Sequence, residues 1–285
     1  WLSTRNTGPT TANSFANETS SRWVNLGVNN GTTSFSSIPP SLVLAGGGFI
    51  DFSGDSVLGD LDSDGDLDLL HSSYGGVIQG KDPHRIFLND GLGFFEEFNP
   101  SGFQLTGSAI ANGSPALWAS GLQQHNTTNT SGLEADIATT AIAVDLGDLD
   151  GDFDLDLLLG ARNEQPRLFR NELDGGVLQP FVDFTHGAFS QLTTAGSHYE
   201  QELGDVDNDQ DLDIYGINWG SSMQDALMLN DGDFGFGPFT LMSGSTSDDE
   251  EADFFDYDAD GDLDVYVANF SGEDKLYANG GAPDY

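Results

Sequence analysis

Four stretches of the sequence place aspartate at every second position. The first stretch, GDLDSDGDLDLL, begins at Gly59 and ends at Leu70. Counted from its first Asp, each stretch has Asp at positions 1, 3, 5, 7 and 9, and these twenty residues are Asp60, Asp62, Asp64, Asp66 and Asp68; Asp148, Asp150, Asp152, Asp154 and Asp156; Asp205, Asp207, Asp209, Asp211 and Asp213; and Asp256, Asp258, Asp260, Asp262 and Asp264. Five like charges within nine residues repel one another, which indicates a cation as their partner.

Calcium is the ion that best suits these residues. Carboxylate oxygens at alternate positions of a tight loop can converge on one ion, and Ca²⁺ accepts six to eight oxygen ligands in irregular geometry. We expect positions 1, 3, 5 and 9 to bind through carboxylates and position 7 through its main-chain carbonyl. The sequence therefore predicts about four Ca²⁺ sites.

Two other interpretations of the stretches are less favourable. An EF-hand needs flanking helices and a glutamate at position 12, where this sequence has His71, Leu159, Gly216 and Val267. A solvated acidic turn needs no ion, but four copies in phase argue against it. A halophile-type acidic surface with no specific metal stays open as a third alternative.

Position 6 divides the stretches into two pairs. It is glycine in the first and fourth (Gly65 and Gly261) but Phe153 in the second and Gln210 in the third. A sharp turn favours glycine, which adopts positive φ without strain. We therefore expect the second and third loops to bend differently or to bind the ion more weakly.

The four stretches belong to longer repeats. Their first aspartates are separated by 88, 57 and 51 residues, and each is followed by a second shared element, RIFLNDG, RLFRNEL, ALMLNDG or KLYANGG. Short apolar runs bounded by Gly and Asn indicate strands, and four short antiparallel strands in about 50 residues are typical of a β-propeller blade. The sequence predicts an all-β fold of at least four such blades, with each acidic loop between the first and second strands.

The repeats divide the chain into segments. Residues 48–285 are predicted to form the blades, in units of about 48–106, 137–193, 195–243 and 249–285, with residues 107–136 as an insertion loop. Residues 1–47 are interpreted as an extended N-terminal segment. The last unit lacks a fourth strand, so residues 22–28 or 41–45 are candidates to pair with its edge, either in the same chain or in a neighbouring copy.

Composition excludes several classes of function. Lys and Arg total 8 against 47 Asp and Glu, a formal charge of -39, which argues against binding nucleic acid or an anionic membrane surface. No apolar run is long enough for a membrane span, and without cysteine there is neither a disulfide nor a thiolate metal site. Because residue 1 is Trp1 rather than Met, we expect a secreted chain, extracellular or at the cell surface, whose signal segment has been removed, with a fragment as the alternative.

Catalytic motifs such as HExxH, GxSxG and GxGxxG do not occur, and the chain is predicted not to be an enzyme. Trp118, within a polar segment, is a candidate glycan contact. Triplets of the form N-x-S/T mark six candidate glycosylation sites, at Asn17, Asn30, Asn112, Asn126, Asn129 and Asn269.

From residue 48 onward, the DxDxDGxxD pattern followed by an (R/K)LYxN-type strand resembles the FG-GAP or VCBS repeats of integrin-α-like β-propellers. The resemblance implies a calcium-binding extracellular propeller of adhesive, carbohydrate-binding or surface-associated function. The hypothesis favoured here is a structural or adhesive protein that self-associates through its N-terminal strand into a filament or surface layer. The alternative is a lectin-like module that binds glycans or surface proteins, or an accessory domain of a secreted polysaccharide-active enzyme.

Overall fold

The computed structural model describes residues 53–73, 84–100, 118–120, 141–161, 166–185, 198–218 and 223–281, together with the backbone of five N-terminal strands. Its strands are β1 (Leu2–Ser3), β2 (Glu18–Thr19), β3 (Ser21–Asn29), β4 (Thr32–Ile38), β5 (Ile50–Asp51), β6 (Ser53–Gly59), β7 (Asp68–Ser73), β8 (Arg85–Asn89), β9 (Phe95–Glu97), β10 (Ala119–Ser120), β11 (Ala141–Gly147), β12 (Asp156–Ala161), β13 (Arg167–Arg170), β14 (Phe181–Asp183), β15 (His198–Gly204), β16 (Asp213–Asn218), β17 (Ala226–Met228), β18 (Thr240–Leu241), β19 (Asp248–Phe255), β20 (Asp264–Ser271) and β21 (Lys275–Tyr277).

Four sheets contain the acidic loops. Sheet 1 is β6-β7-β8-β9, sheet 2 is β11-β12-β13-β14 with β10 beside β14, sheet 3 is β15-β16-β17-β18, and sheet 4 is β19-β20-β21. Successive strands within each sheet pair antiparallel, whereas β10 runs parallel to β14. The prediction of an all-β fold built from antiparallel four-stranded units is confirmed, with the acidic loop between the first two strands of each. In the N-terminal region, β1, β3 and β4 form a separate three-stranded sheet.

The four sheets stack face to face in chain order. Apolar side chains from facing strands form three buried clusters: Leu70 and Ile86 with Leu157 and Phe169, Leu158 and Leu168 with Ile214 and Met228, and Tyr215 and Leu227 with Val265 and Val267. Strands such as β16 are buried on both faces, which explains their continuous apolar sequence. The first strands β6, β11, β15 and β19 lie beside one another, so the sheets converge along their first strands as blades do.

Glycine before the acidic loop permits this close packing. A Cβ at Gly59 would lie 2.7 Å from the Leu146 side chain of the next sheet, and one at Gly204 would lie 2.7 Å from Phe254. At such distances a Cβ would force the facing side chain to shift, so glycine at this position permits the close approach of the sheets. Sheet 4 has Phe255 at the same place, and that ring is 41% exposed.

Trp118 is buried, so the prediction that it contacts glycans from an exposed loop is wrong. Its side chain is 0% exposed, and the indole Nε1 donates to the carbonyl of His84 over 2.6 Å. The ring packs edge-on against Phe169 and Phe181, with centroid distances of 4.8 and 5.8 Å. The adjoining strand β10 pairs with β14, so this part of the predicted insertion loop belongs to the core between sheets 1 and 2.

Candidate metal centres

Each acidic loop brings three of its carboxylates close together. In the first three loops, residues 60–68, 148–156 and 205–213, carboxylate oxygens of positions 1, 3 and 9 lie within 4.8 Å of one another. In the fourth loop, residues 256–264, the same closeness joins positions 1, 3 and 5. Position 1 follows the first strand and position 9 begins the second, so the fold of the sheet itself brings them together.

The loops bend in the same way at all four sites. The position 1 carboxylate accepts the N–H groups of positions 5 and 6, as Asp60 does from Asp64 and Gly65 over 3.0 Å each. Position 6 has positive φ throughout, at 96° in Gly65, 73° in Phe153, 82° in Gln210 and 101° in Gly261. The expectation that the second and third loops bend differently is therefore wrong, and their non-glycine residues carry a conformational cost of about 1–2 kcal/mol each.

The position 9 aspartate ties the loop to the third strand. Asp68 is fully buried, and its two carboxylate oxygens accept the N–H groups of Leu61 and Asn89, each over 2.8 Å. The pattern recurs with Asp156, Asp213 and Asp264. One carboxylate thus links the loop, the second strand and the end of the third strand.

Burial and neighbouring charges disfavour the ionised form of several of these carboxylates. Burial raises the pKa of Asp68 to about 6, of Asp213 to about 7 and of Asp156 to about 8, against the effect of the N–H groups that they accept. Burial and a neighbouring aspartate also raise the pKa of Asp62 and Asp207. A bound divalent cation acts in the opposite direction, since an adjacent positive charge favours the ionised form.

Two buried carboxylate oxygens in the acidic loops test whether the residues present fit a metal ion. Within the described part of the chain, Asp62 Oδ1 and Asp207 Oδ1, both at position 3, are buried without a hydrogen-bond partner. Buried carboxylate oxygens are normally paired or bound to a metal. The all-oxygen donor set of positions 1, 3 and 9 is the type that Ca²⁺ prefers, so the residues fit a calcium ion.

The position 7 carboxylates face away from these clusters. A Cβ placed at Gly91, in the turn after β8, would lie 2.4 Å from Asp66 Oδ2, and one at Gly281 would lie 3.0 Å from Asp262 Oδ2. In the first, third and fourth loops the position 7 side chain therefore lies beside the Asn-x-Gly turn that follows the third strand, and the glycine in that turn makes room for it. In the second loop Asp154 accepts the N–H group of Leu173 instead.

The asparagine at the end of the third strand joins neighbouring sheets, whereas the sequence pattern predicted it only as a turn residue. The side-chain amides of Asn171, Asn230 and Asn279 donate to the carbonyls of Leu61, Leu149 and Val206, over 2.9, 2.9 and 2.7 Å. Each acceptor is position 2 of the acidic loop in the preceding sheet. We call this hydrogen bond the asparagine clasp; it joins every described pair of neighbouring sheets beside the acidic loop.

A fifth acidic group lies on the first strands. Its residues occupy positions three and five before the first loop aspartate: Asp55, Asp145, Glu200, Glu202, Glu251 and Asp253. Oxygens of Glu200, Glu202 and Glu251 lie within 4.8 Å of one another. Burial and then neighbouring carboxylates raise the pKa of Glu200 to about 10 and of Glu202 to about 8. This inner acidic group was not predicted, because its members come from four strands distant in sequence.

Of the six candidate glycosylation sites, Asn269 lies within the described residues. Its amide nitrogen donates to the carbonyl of Glu273 over 2.7 Å, so this nitrogen is engaged in the turn after β20. The other five candidates, Asn17, Asn30, Asn112, Asn126 and Asn129, lie outside the described residues.

Sheets of this form, each with an acidic loop between its first two strands, define a repeat protein built from propeller-type blades. Residues 205–267, from the third acidic loop to the second strand of sheet 4, match the family model of an FG-GAP-like repeat. The chain therefore contains an FG-GAP-like repeat, as its resemblance to that family predicted. No curated protein matches the chain.

Among the helices of the described residues, none has the length and apolar character needed to cross a membrane.

Proposed function

We propose that this protein is an extracellular structural or adhesive scaffold whose blades are stabilised by Ca²⁺ in the four acidic loops. The observation that carries the proposal is the convergence of carboxylates at positions 1, 3 and 9 of the first three loops and at positions 1, 3 and 5 of the fourth, with the position 3 oxygens of Asp62 and Asp207 buried and unpartnered. The FG-GAP-like match at residues 205–267 supports the same assignment.

The geometry explains why an ion at these places would act structurally. Position 1 shapes the loop and position 9 reaches the third strand, so an ion held by both stiffens three connected segments. Position 2 of the same loop receives the asparagine clasp, so loop order is transmitted to the next sheet. Four Ca²⁺ ions would change the formal charge from -39 to about -31, relieving local repulsion and leaving a strongly acidic protein.

Calcium titration by calorimetry, combined with thermal unfolding, tests the proposal. Binding to the folded state alone stabilises by about 2.7 kcal/mol per site at a hundredfold excess over Kd, so EDTA should lower the melting temperature strongly and added Ca²⁺ should restore it. Asp62→Asn with Asp207→Asn should remove two sites, whereas the exposed Asp174→Asn should remove none. Equal melting temperatures in EDTA and Ca²⁺ would refute calcium and favour an acidic surface with no specific metal.

The second part of the proposal concerns the association of copies of this chain. Sheet 4 has three strands where sheets 1 and 3 have four, and its edge strand β21 offers backbone groups for strand addition. We propose that the N-terminal strands of one copy engage sheet 4 of another, as head-to-tail repetition in a filament or surface layer requires. A lectin-like function is not proposed, because Trp118, the side chain suggested for it, is buried.

A further inference from the structure

Sheet 4 carries apolar side chains on the face that points away from sheet 3. Tyr266 and Leu276 are directly opposite each other on β20 and β21, and they are 38% and 43% exposed. Phe255 lies on the same face by strand alternation and is 41% exposed. Phe270, at a register shift near the end of β20, is 75% exposed, and Tyr257 in the adjoining loop is 48% exposed. These five residues are called the open face.

Equivalent positions in the other sheets are core. The residue two after position 9 is Tyr266 in sheet 4 and Leu70, Leu158 and Tyr215 in sheets 1 to 3, all three 0% exposed. The counterparts of Leu276 are Ile86, Leu168 and Leu227, which are at most 2% exposed, and those of Tyr257 are Leu61, Leu149 and Val206, each 1% exposed. The open face thus has the composition of a packing surface, which marks a site of association.

The asparagine clasp shows what a partner on this face must supply. In each described junction, position 2 of the loop accepts an amide from an asparagine that ends the third strand of the next sheet. Position 2 of the fourth loop is Tyr257, at the rim of the open face. A docking sheet that repeats the junction therefore ends one strand with an asparagine next to the Tyr257 carbonyl.

We propose that the occupant of the open face is the N-terminal sheet, strands β1, β3 and β4, of a second copy of this chain. Strand β3 ends at Asn29 and is followed by Asn30 and Gly31, with Phe35 in β4. Sheet 1 has the same arrangement, because β8 ends at Asn89 before Asp-Gly and an aromatic strand. Strands β3 and β4 thus have the sequence of the last two strands of a blade, with Asn29 in the clasp position. This inference rests on the assembly proposed above and names its acceptor surface.

Charge supports the same occupant. Residues 1–47 contain two basic side chains, Arg5 and Arg22, and one acidic side chain, Glu18, for a net charge of +1, whereas the remaining residues carry -40. Asp253 lies opposite Tyr266 on the open face, and Asp256 stands between Phe255 and Tyr257 in the sequence. The N-terminal segment is therefore the part of a second copy that approaches this surface with the least repulsion.

Phe255 restricts which kind of sheet can dock on the open face. In sheets 1 to 3 the glycine at this position leaves room for the first strand of the next sheet, but Phe255 fills that room. A partner with a complete first strand would collide with this ring. The N-terminal sheet has only the two-residue strand β1 beside β3, so it can pack over β20 and β21 while Phe255 closes the inner end.

The N-terminal sheet of the same chain is the alternative occupant, and cross-linking distinguishes it from the N-terminal sheet of a second copy.

Cross-linking of full-length chains tests this proposal. Because the sequence contains no cysteine, only the introduced cysteines can react. Chains carrying Asn29→Cys and Tyr257→Cys, with different affinity tags, are mixed and treated with a short bismaleimide. We expect a heterodimer, and at least a tenfold lower yield when Leu276→Asp is added to the Tyr257→Cys chain. The control acceptor is Leu92→Cys, at a side chain 91% exposed on sheet 1, which should give no heterodimer. Circular dichroism and the unfolding midpoint check that each variant is folded.

Two outcomes would overturn the proposal. One is no cross-link between the two chains, and the other is a cross-link confined to monomers when a single chain carries both Asn29→Cys and Tyr257→Cys. Calcium binding is measured by calorimetry on the same samples. Calcium binding without the heterodimer refutes the docking alone, whereas the heterodimer without calcium binding refutes the calcium proposal alone. Self-association by light scattering that is unaffected by Leu276→Asp would keep assembly and discard the open face as its acceptor.

Discussion

Asn171 donates its side-chain amide to the carbonyl of Leu61 over 2.9 Å, although 110 positions separate the two residues and they belong to different sheets. The bond is buried, so its removal leaves the Leu61 carbonyl without that donor. Asn171→Ala should lower the free energy of unfolding by about 1–3 kcal/mol, measured by urea denaturation. Asn89→Ala is the matched control, because the Asn89 amide donates to Leu67 within its own exposed loop and should matter less. An equal loss in both variants would contradict a role for the clasp between sheets.

Phe153 adopts φ of 73° in the second loop with 90% of its side chain exposed. Phe153→Gly removes left-handed strain of about 1–2 kcal/mol and adds chain entropy to the unfolded state worth about 0.5–1 kcal/mol. We expect a net gain in stability of about 0.5–1 kcal/mol by thermal unfolding in EDTA. At Gly65, where φ is 96° and a Cβ would meet nothing within 4 Å, Ala should cost about 1 kcal/mol. Destabilisation by Phe153→Gly would contradict this account.

The inner acidic group makes stability fall as pH rises. Burial first, and Glu251 second, raise the pKa of Glu200 from 4.5 to about 10, so the folded state holds this proton more tightly than the unfolded chain. Below the pKa of the unfolded chain, Glu200 is protonated in both states and does not change the free energy of unfolding. As pH rises from there towards the folded pKa, the free energy of unfolding falls. Glu200→Gln, which stays neutral, should match the natural protein near pH 4 and exceed its stability by about 1–3 kcal/mol at pH 8.

Urea denaturation at several pH values in EDTA measures this difference. The exposed Glu273→Gln serves as the control and should show no such pH-dependent gain. A gain from Glu200→Gln that is the same at both pH values would point to packing rather than to ionisation.

Trp118 anchors the junction of sheets 1 and 2. Trp118→Ala removes a buried ring in contact with Phe169 and Phe181 and should cost about 3–5 kcal/mol in denaturant unfolding. Trp118→Phe keeps an aromatic ring but loses the donor to His84 and should cost about 1–2 kcal/mol. A loss below about 0.5 kcal/mol in Trp118→Ala would show that the residue does not contribute to this core.

Local patterns in the sequence were enough to predict the sheets and their loops. Alternating aspartates, short apolar runs and Asn-x-Gly turns each act within about ten residues, and they placed the acidic loop between the first two strands in all four units. The closeness of positions 1, 3 and 9 follows from the same local geometry, since position 9 returns beside position 1 when the two strands pair.

What the sequence did not reveal depends on contacts between distant segments. Trp118 lies in a polar stretch next to a two-residue strand, which is too short to show a hydrophobic alternation. Its burial depends on sheets 1 and 2, which come from other parts of the chain. The prediction that the loop with Phe153 bends differently was wrong, because the hydrogen bonds of Asp148 hold the same turn whichever residue occupies position 6. The clasp and the inner acidic group each join residues from different repeats.

The asparagine clasps all have one direction, with the donor on the later sheet and the acceptor on the earlier one. During synthesis, each new sheet therefore emerges after the carbonyl that it will bind has already been placed by a folded predecessor. The chain can thus build itself from the ribosome outward one blade at a time, and a stalled or truncated chain would retain every junction made before the stop.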